Sequence, residues 1–159
     1  MLGARLQPIA ALSGKHRMFI GEYTHNFDVK GRIAVPAKFR KDLMGGAIVT
    51  RGLDKCLFVF NKSEWEILAK KLIALPLAQA NSRAFVRLML SGASESDIDS
   101  QGRILVPDYL RQYADLSAKG GSASGGKRQA VIAGVYNRME IWDSDSCKAY
   151  KAKTESSSD

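Results

Sequence analysis

The sequence predicts an α+β fold, mainly β, made of one module written twice around a shared core. Residues 27–40 read FDVKGRIAVPAKFR and residues 98–111 read IDSQGRILVPDYLR, and they align without a gap at an offset of 71. Seven of these fourteen positions are identical: Asp28/Asp99, Gly31/Gly102, Arg32/Arg103, Ile33/Ile104, Val35/Val106, Pro36/Pro107 and Arg40/Arg111. A second match follows each copy. VTRGLDKCLFVFN from Val49 resembles VIAGVYNRMEIWD from Val131 at an offset of 82, so the second copy has gained 11 residues between its two matches. Each unit spans about 45 residues, small for a module that must bury its own core, so two halves sharing one core are expected.

The elements follow in order. Phe19–Phe27 is rich in strand formers, and Asp28-Val29-Lys30-Gly31 carries turn chemistry with Gly31 where positive φ is needed. Arg32–Val35 resumes as a strand. Pro36 suits the first position of a short helix, Pro36–Leu43, which ends before Gly45-Gly46. Ala47–Arg51 and Cys56–Phe60 read as strands around the turn Gly52-Leu53-Asp54-Lys55. A helical connector comes next. Ser63-Glu64-Trp65-Glu66 has capping-box spacing with Ser63 as N-cap, and Trp65, Leu68, Leu72 and Ile73 fall toward one face before Pro76 stops the helix. A second helix is expected over Asn81–Leu90, with Phe85, Leu88 and Met89 apolar; such a stripe is core or subunit contact. The second copy repeats the order, with Pro107 and Gly102 in the places of Pro36 and Gly31. Its insertion, residues 117–128, is Gly/Ser-rich and expected to be flexible before a strand at Ala130–Gly134. The chain after Tyr150 is polar and expected to be disordered. The organisation expected is an extension at 1–17, a first repeat at 18–64, a connector at 65–94, a second repeat at 95–147 and a polar tail at 148–159.

Charge narrows the partner. Lys and Arg number 24 against 16 Asp and Glu, a net charge of +8, which favours an anionic partner: nucleic acid, or less often a membrane surface. No apolar run approaches the ~18–20 residues that cross a bilayer. Cys56 and Cys147 form neither a disulfide framework nor a CxxC motif, which fits a reduced, cytoplasmic protein. The only histidines are His16 and His25, and no nucleotide-binding, metalloprotease or serine-hydrolase motif occurs. No enzyme activity, cofactor or metal is therefore expected. Residues 1–17 contain Arg5, Lys15 and Arg17 without an acid, and their apolar stretch is broken by Gln7 and Pro8. They read as a disordered, dispensable or mis-started extension, with a basic arm that touches DNA as the alternative.

The repeated motif carries the chemistry. Across a tight turn, the Asp28 carboxylate can accept from turn N–H groups or pair with Arg32. Asp28 and Asp99 read chiefly as turn builders, with Gly102 and the two prolines as scaffold. Arg32 stands open between structure and function: an arginine oriented by an acid can present its planar fork to a phosphate or a guanine edge. Local charge separates the copies. Residues 15–41 hold seven basic and two acidic residues, a balance of +5, whereas residues 95–115 hold two and five, a balance of −3. Lys30 and Lys38 become Gln101 and Tyr109. The first copy is thus expected to be the main nucleic-acid face, with Lys30, Arg32, Lys38, Arg40 and Lys41 on the backbone and Arg32 nearest a base edge. The second copy is expected to serve more in folding and assembly.

Several long motifs in order, MFIGEYTHNFDVKGRIAVPAKFR, TRGLDKCLFVF, LPLAQANSRAFVR, LSGA and DSQGRILVP…NRMEIW, closely resemble the MraZ family of bacterial transcriptional regulators over residues 18–150. The resemblance implies tandem SpoVT-AbrB-like, swapped-hairpin halves forming one pseudo-twofold β-barrel with flanking helices. It also implies ring-like homo-oligomers that bind direct repeats in the promoter of the division and cell-wall gene cluster, on double-stranded DNA at the nucleoid. Both Asp-x-x-x-Arg pairs are linked with DNA binding in that family, which adds Asp28, Gly31 and Arg103 to the candidate site. The 17-residue extension and the 117–128 insertion depart from the family pattern. Two rival readings are an assembly protein whose charge is incidental and an RNA-binding module; the scarcity of stacking aromatics near the motif weighs against RNA.

Overall fold

The computed structural model describes residues 18–117 and 129–157, so the expectations for residues 1–17 and for nearly all of the insertion lie outside it. The first half contributes β1 (Phe19–Asn26), β2 (Arg32–Ala34), β3 (Ala47–Arg51) and β4 (Leu57–Asn61). The connector is α1 (Lys62–Ile73) and α2 (Ala80–Ser91). The second half contributes β5 (Ser94–Ser96), β6 (Arg103–Leu105), α3 (Asp108–Tyr113), β7 (Gln129–Tyr136), β8 (Met139–Asp143) and α4 (Ser144–Ser156). Six strands form one antiparallel sheet in the order β1-β7-β8-β4-β3-β5, and β2 pairs with β6 in a separate two-stranded ribbon.

Exchanging the halves leaves this pairing pattern unchanged. The first strand of each half pairs with the third strand of the other: β1 on β7, and β5 on β3. β4 pairs with β8, and β2 with β6. Neither half therefore completes its own sheet. The expected closed barrel is not found: the sheet ends at β1 and at the three-residue β5, and the ribbon lies over its face.

Two-residue alternation builds a core on each side of the sheet. Val49, Leu57, Val59, Ile132, Met139 and Ile141 face the ribbon and short helices, meeting Ile33, Val35, Ile104, Val106, Phe39 and Leu110. Phe58, Phe60, Val131 and Trp142 face the other way, against Leu72 of α1, Met89 of α2 and Cys147 of α4. Each fully buried aliphatic side chain contributes about 1.5–3 kcal/mol. Thr50, the one buried polar side chain among the described residues, donates its hydroxyl to the Met89 carbonyl at 2.6 Å.

Several local expectations are corrected. The helix expected over Pro36–Leu43 is two successive 3₁₀ turns, Ala37–Phe39 and Lys41–Leu43, whereas its second-copy equivalent is α-helical. The first copy has no acid in the opening turn and places Lys38 there; α3 opens with Asp108, which suits the helix dipole and accepts from Gln112 Nε2 at 2.6 Å. Pro36 and Pro107 sit at the N-cap, one position before the helical residues. α1 is capped by Asn61, whose Oδ1 accepts from the Glu64 amide at 2.8 Å, not by Ser63, because β4 runs on to Asn61 and turns directly into the helix. Ile73 is exposed rather than on the apolar face. The tail expected to be disordered is helical to Ser156. Asp143 caps α4 through the Ser146 amide at 3.0 Å, Cys147 is buried, and Lys151 bonds Glu22 of β1 at 2.6 Å.

Candidate nucleic-acid interface

Asp28 organises the first turn through both carboxylate oxygens. Oδ1 accepts from the amides of Lys30 and Arg32, each at 2.9 Å, and Oδ2 accepts from Arg32 Nε at 2.8 Å. The backbone closes the same loop, with the Asp28 amide on the Arg32 carbonyl at 2.9 Å and the Gly31 amide on the Asp28 carbonyl at 3.1 Å. Gly31 takes φ of 83°, a conformation that glycine adopts without steric cost. The second copy repeats every bond. Asp99 Oδ1 accepts from Gln101 at 2.9 Å and Arg103 at 3.0 Å, Oδ2 accepts from Arg103 Nε at 2.9 Å, and Gly102 has φ of 78°. The acids do build the turns. The same bonds hold both carboxyls below the ordinary carboxylate value of 3.8, the largest cause being the amide of Arg32 at Asp28 and of Arg103 at Asp99.

Each arginine thus spends its Nε on its own aspartate, which fixes the guanidinium plane. Ribbon register then decides where the planes lie. Ile33 pairs with Ile104 at the centre and both are 1% exposed, so alternation sends Arg32 and Arg103 to the opposite, outer face. Their side chains are 31% and 25% exposed, and Arg103 Nη1 lies 3.5 Å from Asp28 Oδ2. Both arginines lie on one surface, and one carboxylate touches both.

The other candidates divide. Lys30 and Lys41 are exposed. Lys38 is also exposed, with Nζ 5.3 Å from the centre of the Tyr23 ring, which steers a mobile cation without burying it. Arg40 is half-buried: its Nε donates to the Val35 carbonyl at 2.9 Å and its guanidinium lies on Gly102 of the other half. Arg111 mirrors it, donating to the Val106 carbonyl at 3.0 Å and lying on Gly31. Sequence reasoning placed Arg40 on phosphate and gave Arg111 no role. Their identity in the repeat was a visible signal, but that each crosses to the opposite half was not. Leu105, opposite Arg32 on the outer face and half-exposed, was also missed. Among the described residues no group of three or more potential metal ligands occurs, and no helix is long and apolar enough to cross a membrane.

A family model described as "MraZ protein, putative antitoxin-like" matches the chain twice in tandem, over residues 18–88 and 89–159. The chain belongs to the MraZ family. Among similar proteins is the Transcriptional regulator MraZ of Natranaerobius thermophilus, 47% identical over 140 residues, which are 88% of this chain and 91% of the relative. The protein of the same name from Desulforamulus reducens is 46% identical over 140 residues, 88% and 92% of the two chains. That of Halothermothrix orenii is 47% identical over 140 residues, 88% and 91%. Each MraZ match takes in one Asp-anchored turn, and the boundary between the matches falls inside α2.

Proposed function

We propose that this MraZ chain is a transcriptional regulator that binds double-stranded DNA through the outer face of the β2–β6 ribbon. One observation carries the reading: two arginines, each held in plane by its own aspartate, lie at diagonal positions on the ribbon's outer face and meet at the Asp28 carboxylate. Fixing a guanidinium before binding lowers the ordering cost of the contact, and its planar fork matches a guanine edge or a phosphate. Lys30, Lys38 and Lys41 supply sequence-independent phosphate contacts around Arg32 and Arg103. Asp28, Gly31, Asp99 and Gly102 shape the two turns, and Pro36 and Pro107 set the chain direction after the ribbon.

A single chain makes few phosphate contacts, so affinity rests on several copies engaging spaced sites. A ring-like homo-oligomer on promoter direct repeats supplies this, with an avidity gain of roughly 10²–10⁴. In this reading the exchange of first strands between halves makes them swapped hairpins, and the protein acts in the cytoplasm at the nucleoid, without a cofactor. The test is footprinting on the DNA upstream of its own gene, with assembly mass measured in parallel. Protection of regularly spaced repeats that fades steeply with salt supports the reading. Equal affinity for one repeat and for several, or stable rings with no protected DNA, overturns it.

A further inference from the structure

Arg40 and Arg111 form a reciprocal clasp. Each lies eight residues beyond the motif arginine of its own half and belongs to the helical segment that follows the ribbon strand. Each donates Nε to the carbonyl just before its own proline, Val35 or Val106. That bond turns the guanidinium away from its own turn and onto the glycine of the other. A Cβ built on Gly31 would lie 2.8 Å from Arg111 Cζ, and the Arg40 guanidinium fills the corresponding space at Gly102. The backbone crosses in the same sense: the Val106 amide donates to the Gly31 carbonyl at 2.9 Å, and the Val35 amide to the Gly102 carbonyl at 2.8 Å. Arg111 also lies 3.6 Å from Asp108, an exposed pairing that adds little hold.

We infer that Arg111 is a positioning residue for the first motif, Lys30 and Arg32, and that Arg40 is one for the second motif, Arg103. The inference rests on the DNA-binding reading of the ribbon face and adds to it that each recognition turn is set by the opposite half. A guanidinium laid flat on a glycine that bears no Cβ blocks the turn from collapsing inward. It thereby keeps the Asp-anchored arginine at the ribbon surface. Lysine cannot replace it, because an ammonium lacks both the planar face and an Nε in the right place.

The test is a set of double-mutant cycles with the full chain on a duplex carrying the DNA upstream of its own gene. Arg111→Lys should weaken binding about tenfold alone, add about twofold at most in an Arg32→Gln background, and add fully in an Arg103→Gln background. Arg40→Lys should show the mirror pattern, coupling to Arg103 and not to Arg32, the motif arginine of its own half. Wild-type affinity in Arg111→Lys would mean that charge alone suffices and Arg111 touches phosphate, which overturns the inference. So would coupling within each half. Amide hydrogen exchange in the free protein separates this from failure of the DNA reading. Exchange should rise at Gly31 in Arg111→Lys and at Gly102 in Arg40→Lys, each without change at the other glycine. If the duplex is not bound at all, the functional reading falls while exchange still decides the clasp. If both glycines change together, or neither does, the clasp falls.

Discussion

The two halves of this chain carry the same turn in different surroundings. Asp28–Arg32 and Asp99–Arg103 agree bond for bond, to within 0.1 Å in all three carboxylate contacts. Around them the strand pairing and the Arg40/Arg111 contacts repeat, but other surroundings differ. β1 has eight residues and β5 three. Lys38 stands free over Tyr23, whereas its counterpart Tyr109 donates its hydroxyl to the Gly92 carbonyl at 2.9 Å and lies under the Arg51 guanidinium. The second half therefore ties its equivalent position to the end of α2 through the Tyr109 hydroxyl, while the residue stays 43% exposed. Each turn is closed by bonds internal to five residues, and the other half lays an arginine on its glycine. Surface charge follows from what each turn is packed against.

The largest expected effect tests the sameness. Ile33→Ala and Ile104→Ala remove equivalent side chains from the ribbon's buried face, and each should cost about 3 kcal/mol in urea unfolding. A gap of more than about 1 kcal/mol between them would show that the halves share the core unequally. The next tests the difference. Arg32→Glu should weaken DNA binding about 100-fold, and Arg103→Glu, which sits among acids, about tenfold. Equal losses measured on assembled protein would remove the asymmetry and leave one symmetric site.

Titration sharpens the shared part. Asp28 and Asp99 have lower carboxyl pKa values folded than unfolded, so the unfolded chain binds more protons between the two values. Their contribution is complete above the ordinary value near 3.8 and is lost as pH falls through the folded value. Urea midpoints from pH 6 down to about pH 3 should fall less steeply in Asp28→Asn than in the wild type. Parallel curves would remove the turn carboxylate from the acid response. The smallest effects concern Lys38 and Tyr109. Lys38→Gln should reduce the salt slope of DNA binding by about 0.9 and affinity two- to threefold. Tyr109→Lys should cost about 1 kcal/mol of stability through the lost hydrogen bond, with no gain in affinity.

Much of the fold was legible because its signals are local. Asp, Gly and Arg at fixed spacing carry turn chemistry of their own, and both turns are where the sequence places them. Ser63 and Asn61 illustrate the limit. Both are good N-cap residues with a glutamate three positions on, and only the extent of β4, set by pairing with β3 and β8, selects Asn61. The helical tail is another case, since α4 is held by Cys147 in the core and by Lys151 on Glu22, contacts made 129 residues apart in the latter.

By itself the sequence determined the duplication, visible as identity at an offset of 71, and it determined the two Asp-anchored turns and the excess of positive charge around the first, which depend on residues close together in the chain. Tertiary structure alone decided that each half's first strand pairs with the other half and that Arg40 and Arg111 cross over. It alone also decided that Arg32 and Arg103 meet on one face. These outcomes depend on strand register, and register is set by burying Ile33 and Ile104 together, a contact between residues 71 apart that no local pattern encodes.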